Sequence, residues 1–190
     1  MKTKDRNKDL RTDSSANSHK PLLLVDIDGV ISLFGGDSPL AERLARGEGT
    51  FHSIDGMPHF LSATAAAHLL DLATHFELAW CSGWEEKANE HLPHLLGLPP
   101  SLPFLRFERS VGRSNAHWKL AAIDAFAGTR ALAWIDDALN DACHEWASAR
   151  AAQGLPTLLV QTLPERGLTD REAAELSSWA GELRLRPAAS

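Results

Sequence analysis

Residues 22–30 read LLLVDIDGV, an unbroken apolar run that ends in Asp26, Asp28 and Gly29. Four to six apolar residues without polar alternation suit a central parallel strand that is covered on both faces. Side chains alternate along a strand, so carboxylates two residues apart point to the same side. Gly29 lets the chain leave sharply and leaves room for a ligand near the backbone. Alone, such a D-x-D-G reads equally well as a pair of turn-forming aspartates.

Further along, residues 76–82 (FELAWCS), 103–108 (PFLRFE), 130–136 (RALAWID) and 156–161 (PTLLVQ) read as further strands. Between them lie helical stretches. One runs from Met57 to Ala73. A second follows Gly83, with apolar positions at Trp84, Ala88, Leu92 and Leu95, and is interrupted by Pro93. Asn115 is placed to cap a third over 116–126, with Trp118, Ala122 and Phe126 on one face. A fourth runs to about Arg150, and the last from Asp170 to about Leu183. Strand–helix alternation predicts right-handed crossovers and an α/β fold: a three-layer α/β/α, Rossmann-like arrangement around a five-stranded parallel sheet. Residues 32–54, rich in glycine and weakly periodic, read as a small flap above the sheet.

With 190 residues, the chain suits one domain from 21 to 190. Residues 1–20 are polar, lack aromatics and read as a disordered tail. That tail holds six Lys/Arg against three Asp/Glu, leaving 13 basic and 22 acidic residues for the body. So acidic a body argues against tight nonspecific binding of nucleic acid. Cys81 and Cys143 have no metal-ligand spacing and read as reduced, buried thiols. No secretory signal and no run of about 18 apolar residues is present, so the expectation is a cytoplasmic protein without a membrane partner.

In parallel α/β folds, ligands bind beyond the carboxyl ends of the strands. There the fourth strand delivers Asp136 and Asp137. Adjacent carboxylates repel, and a divalent cation would remove that cost. Magnesium wants oxygen ligands and commonly takes one or two carboxylates. The second strand ends in Ser82 and Gly83, where a hydroxyl and the N–H groups of a helix start can hold phosphoryl oxygens. Lys119, in the first turn of its helix, can reach the same edge. Singly these residues read as a helix cap, an Asp-rich helix start and a surface lysine; as a set at one sheet edge they read as a site.

LLVDIDGV resembles the first motif of the haloacid dehalogenase (HAD) superfamily, and WCSG (80–83), Lys119 and WIDD (134–137) resemble the second, third and fourth, in the family's order. WCSGWEEKAN with WIDD is also similar to a small group of HAD domains related to those of RNA-repair proteins. The resemblance implies strand order 5-4-1-2-3 and a Mg²⁺-dependent phosphatase. Asp26 would be its nucleophile and Asp28 its general acid/base; Ser82 and Lys119 would hold the phosphoryl group. Asp26, the Asp28 carbonyl, Asp136 and Asp137 would hold Mg²⁺. Asp28, two residues after the nucleophile, marks phosphatases and phosphotransferases rather than dehalogenases. Only about fifty residues separate Asp28 from the second strand, which implies no large cap domain and an open site. That site would admit a small ester, a nucleotide or a phosphorylated nucleic-acid end. The competing readings are a phosphotransferase and a non-catalytic phosphate- or Mg²⁺-binding module.

Ser82, Gly83 and Lys119 are thus candidate substrate contacts. So is Trp84, which is placed to stack on a ring at the mouth. His91 and His94 flank Pro93 and read as surface residues; so do His117 and His144.

Overall fold

The computed structural model describes residues 20–37, 40–108 and 115–185; the tail expected over 1–20 lies, save Lys20, outside them. Strand β1 (Leu22–Val25) is the pivot, with all four residues buried. It pairs in parallel on both sides, with β5 (Glu77–Trp80) through Leu22–Glu77 and with β6 (Leu132–Asp136) through Leu22–Leu132. β7 (Thr157–Gln161) adds to the far side of β6, giving the order β5-β1-β6-β7. Arg130, just before β6, donates from Nη2 to the carbonyl of Lys20 at 3.1 Å and pairs with Glu77, clamping the lower ends of these strands.

Side-chain alternation splits the core in two. Leu23, Val25, Ala133 and Ile135 face one layer, built from α2 (Ala63–Leu72), α3 (Lys87–Leu96) and α6 (Asp170–Leu185). Leu22, Leu24, Leu132 and Trp134 face the other, built from α4 (Leu120–Ala127) and α5 (Asp141–Ala152). Each fully buried leucine of β1 contributes roughly 1.5–3 kcal/mol of transfer free energy.

Among the described residues the sheet has four strands, not the five expected in the order 5-4-1-2-3. The segment read as the third strand, 103–108, makes a single bridge, Phe104 to Trp80. Side chains hold the backbone on either side of that bridge. Asn89 accepts from the N–H of Leu102 at 3.0 Å and donates to its carbonyl at 2.8 Å. Pro103 has no N–H to offer, and the N–H of Phe107 goes to the Glu85 carboxylate at 3.0 Å. The order of the remaining four is that expected without its last member.

Between β1 and α2 lies a second, antiparallel sheet of order β2-β4-β3: β2 (Ser32–Leu33), β3 (Gly49–Ile54) and β4 (Met57–Ser62), with the short α1 (Leu40–Ala45). Met57 therefore opens a strand rather than a helix, and α2 starts only at Ala63, where the Ser62 hydroxyl caps it. Asp55 and Gly56, at φ 51° and 78°, make the tight turn that joins β3 to β4. Among the described residues no separate cap domain is present beyond this flap. No helix among them is long and apolar enough to cross a membrane.

Two further readings are corrected. α3 runs through Pro93 to Leu96 and ends at Gly97, in the left-handed region at φ 67°. The turn holding Lys119 is 3-10 (Ala116–Lys119) and makes no cap hydrogen bond to the Asn115 side chain; the buried face of α4 carries Ile123 and Ala127, not Phe126.

Candidate active site

The alternation that divides the core also assembles the site. Asp26 continues the side of β1 that carries Leu22 and Leu24, and Asp136 the side of β6 that carries Leu132 and Trp134. Both carboxylates thus reach the carboxyl edge on the α4/α5 face. The turn leading into α4 places Lys119 between them. Its ammonium lies 2.7 Å from Asp136 Oδ2 and 3.1 Å from Asp26 Oδ2. All three are buried: Asp136 is 0%, Lys119 4% and Asp26 7% exposed. The other Asp136 oxygen accepts the N–H of Ala138 at 2.9 Å.

Above them is an open cavity of about 340 Å³, lined by Asp26, Asp28, Ser82, Gly83, Lys119 and Asp137, with Asn115 and Trp118 on its α4 side. Of the catalytic, metal and substrate-contact residues expected from the sequence, Trp84 alone does not line it. Trp84 instead donates its indole N–H to Asp28 Oδ2 at 3.0 Å and faces a neighbouring cavity of about 230 Å³ with Ile54, Met57 and His59; Gly83 borders both. The helix expected directly after Gly83 begins only at Lys87. A turn intervenes, in which Glu85 sits at φ 47° and reaches across to Phe107. The N–H groups of the α3 start are therefore not at Ser82. Ser82 itself is buried, and its carbonyl accepts the N–H of Glu85 at 3.0 Å.

Gly29 earns its place by close approach as well as by φ of 72°: a Cβ there would lie 2.4 Å from the Asp137 carboxyl. Its carbonyl accepts the buried hydroxyl of Thr162 at 2.8 Å, and Leu168 donates to the carbonyl of Val30, so the chain after β7 braces the loop after β1.

Asp26, Asp136 and Asp137 bring carboxylate oxygens within 4.8 Å of one another. An all-oxygen donor set suits Mg²⁺. A carboxylate oxygen has two lone-pair sites, so the ammonium of Lys119 does not exhaust those it touches. The Asp28 side chain is not part of this cluster.

Crowding shows in the protonation balance. Burial, and next the charge of Asp136, push Asp26 up to about 7 against the pull of Lys119. Burial and Asp136 likewise push Asp137 up to about 6. Burial opposes the Lys119 ammonium, but Asp26 and Asp136 outweigh it and hold its pKa above the usual lysine range. The two raised carboxyls bind protons more tightly in the folded than in the unfolded chain, so they favour folding below the ordinary value of 3.8. That contribution is lost as pH rises through about 6 to about 7. A cation binds the ionised forms and stabilises by mass action. Melting temperatures with and without Mg²⁺ are therefore expected to coincide near pH 5 and to separate near pH 8, with the Mg²⁺ sample higher. Identical melts at pH 8 would remove the metal from this site.

Sequence reading missed His59 and the bond from Trp84 to Asp28. The signal was present: Asp55-Gly56 between two short β-prone runs is a hairpin signature, and it would have put His59 on a strand.

No protein-family model matches the chain, and no curated protein matches it significantly. Among solved structures, the chain is similar to the HAD domain of the effector protein Lem4 from Legionella pneumophila. The TM-score is 0.55 at 15% sequence identity, over 88% of this chain and 98% of that one. The four-stranded parallel sheet, its flanking helices and this likeness together give the chain a HAD-like fold.

Proposed function

We propose that the protein is a Mg²⁺-dependent phosphomonoesterase working through an aspartyl-phosphate on Asp26. The observation that carries this reading is Lys119, buried between Asp26 and Asp136 at the open carboxyl edge of the sheet, beside a cluster of three carboxylates. A fixed cation against a buried carboxylate is an arrangement for neutralising a third, anionic group that arrives between them.

An Asp26 carboxylate oxygen attacks phosphorus, and the bond from phosphorus to the ester oxygen breaks. Asp28 gives its proton to that leaving oxygen, so the alcohol departs neutral. Asp28, now ionised, takes a proton from water as the water attacks phosphorus. The bond from phosphorus to Asp26 breaks, inorganic phosphate leaves, and both carboxyls return to their starting state. Lys119 and the hydroxyl of Ser82 hold the phosphoryl oxygens through both steps. Asp26, Asp136, Asp137 and the Asp28 carbonyl would hold Mg²⁺, which supplies positive charge at the transferring phosphoryl group and favours the ionised form of Asp26.

The flap leaves the cavity open, which supports substrates ranging from small phosphate esters to nucleotides and phosphorylated polynucleotide ends. The test is hydrolysis of p-nitrophenyl phosphate by the purified protein with and without Mg²⁺. Turnover that requires the metal supports the reading. Absence of turnover with Mg²⁺-dependent binding of BeF₃⁻ would point to a more demanding substrate; absence of both would overturn the enzyme reading.

A further inference from the structure

Trp84 has no place in the chemistry just described, yet it touches the residue that moves the protons. Its indole N–H donates to Asp28 Oδ2 at 3.0 Å. Its ring meets that of His59 edge to face, with centroids 4.9 Å apart. His59 Nδ1 is 2.8 Å from the hydroxyl of Ser32. Ser32 in turn accepts the N–H of Gly29 on its backbone carbonyl at 2.8 Å. The contacts close a ring from Asp28 through Trp84, His59 and Ser32 back to the residue after Asp28. Four elements share it: the loop after β1, strands β2 and β4 of the flap, and the turn after β5.

From this ring we infer that Trp84 is a positioning residue for Asp28, with the flap as its backing; the inference rests on the phosphatase reading above. A carboxylic acid acts as proton donor only when its O–H is aimed at the leaving oxygen. Trp84 donates to Oδ2, and the carbonyl oxygen of a carboxylic acid is a better acceptor than its hydroxyl oxygen, so the bond favours an acidic proton of Asp28 on Oδ1. One fixed hydrogen bond thereby biases both which oxygen carries the proton and the rotation of the carboxyl. The flap keeps the indole from turning away, because the edge of His59 packs against it while Ser32 holds the imidazole. Asp55 at the hairpin turn also pairs with Lys87, three residues past Trp84, which links the flap to the start of α3.

The test uses leaving groups of similar size and different basicity. A poorly acidic alcohol needs its proton in the transition state, while p-nitrophenolate departs with little help. Trp84→Phe keeps an aromatic ring beside His59, though a smaller one, and removes the donor. It is expected to lower kcat/KM for phenyl phosphate at least about tenfold more than for p-nitrophenyl phosphate, a part of the roughly 100–10,000-fold that general acid catalysis supplies. Equal losses on both substrates, or a change in KM alone, would overturn the inference and leave the phosphatase reading intact. A second measurement does not require turnover. Among the indole N–H resonances of the six tryptophans, the one missing from Trp84→Phe is expected to shift upfield in Asp28→Ala. An unmoved resonance shows that the bond does not exist in solution and sinks the proposal. Loss of all turnover in the wild type, with that shift present, would count against the phosphatase reading alone.

Discussion

Asp26→Asn is expected to abolish Mg²⁺-dependent turnover, by a factor on the order of 10⁴–10⁶, while the protein melts no lower than the wild type at pH 8. The first half follows from chemistry. The amide has the shape of the carboxylate but neither its charge nor its nucleophilic oxygen. The second half follows from position. Asp26 is buried, and its desolvation outweighs the attraction of Lys119, so an uncharged replacement removes a cost. Lys119 keeps a carboxylate partner, since Asp136 stays at 2.7 Å. Phosphate release and melting curves on the same preparation check both halves. Turnover in the variant above about one per cent of wild type would exclude Asp26 as the nucleophile, since losing a nucleophile costs far more.

Lys119→Met should have the opposite character, losing stability as well as activity. Methionine has nearly the same length and fills the same channel, so packing is preserved. What goes is the ammonium that lies between two buried carboxylates. Removing one partner of a buried ion pair costs about 3–5 kcal/mol, because the remaining charge is left uncompensated. The deficit should be largest at pH 8. It should shrink toward pH 5, where Asp26, already raised to about 7, is protonated. Urea unfolding of wild type and variant at both pH values measures it. A deficit that does not change with pH would mean that methionine fails through its shape rather than through lost charge.

These two residues also show how far the sequence could be read. The runs LLLVDI and ALAWID announce buried strands ending in acid, and strand parity then dictates that Asp26 and Asp136 share a face. Lys119 is legible as a residue near that edge, but its distance to either carboxylate is set by the 3-10 turn, which no spacing in the sequence announces. The missing fifth strand has a similar origin. PFLRFE has the composition of a strand, but Asn89 and Glu85, more than a dozen residues away, take the backbone groups that a ladder needs. Trp84 reads as a stacking surface from its place after Ser82-Gly83. Only the folded chain brings its N–H to Asp28, 56 residues away in sequence.

The pairing of β1 with β6 has a consequence for biogenesis. Lys20 and Arg130 are joined across 110 residues, and the strand that leads to Asp26 cannot complete its sheet until β6 exists. At about 5–20 residues per second of synthesis, the nascent chain carries the run from Leu22 to Val25 without that partner for roughly 5–20 seconds. Non-local parallel pairing is also slow to form once its partner emerges. The flap hairpin, whose strands are neighbours in sequence, can form while the ribosome is still translating. Lys119 and Asp136 reach Asp26 only when β6 docks. The candidate site is thus assembled late, and until then the apolar run Leu22–Val25 lacks the partner that covers one of its edges.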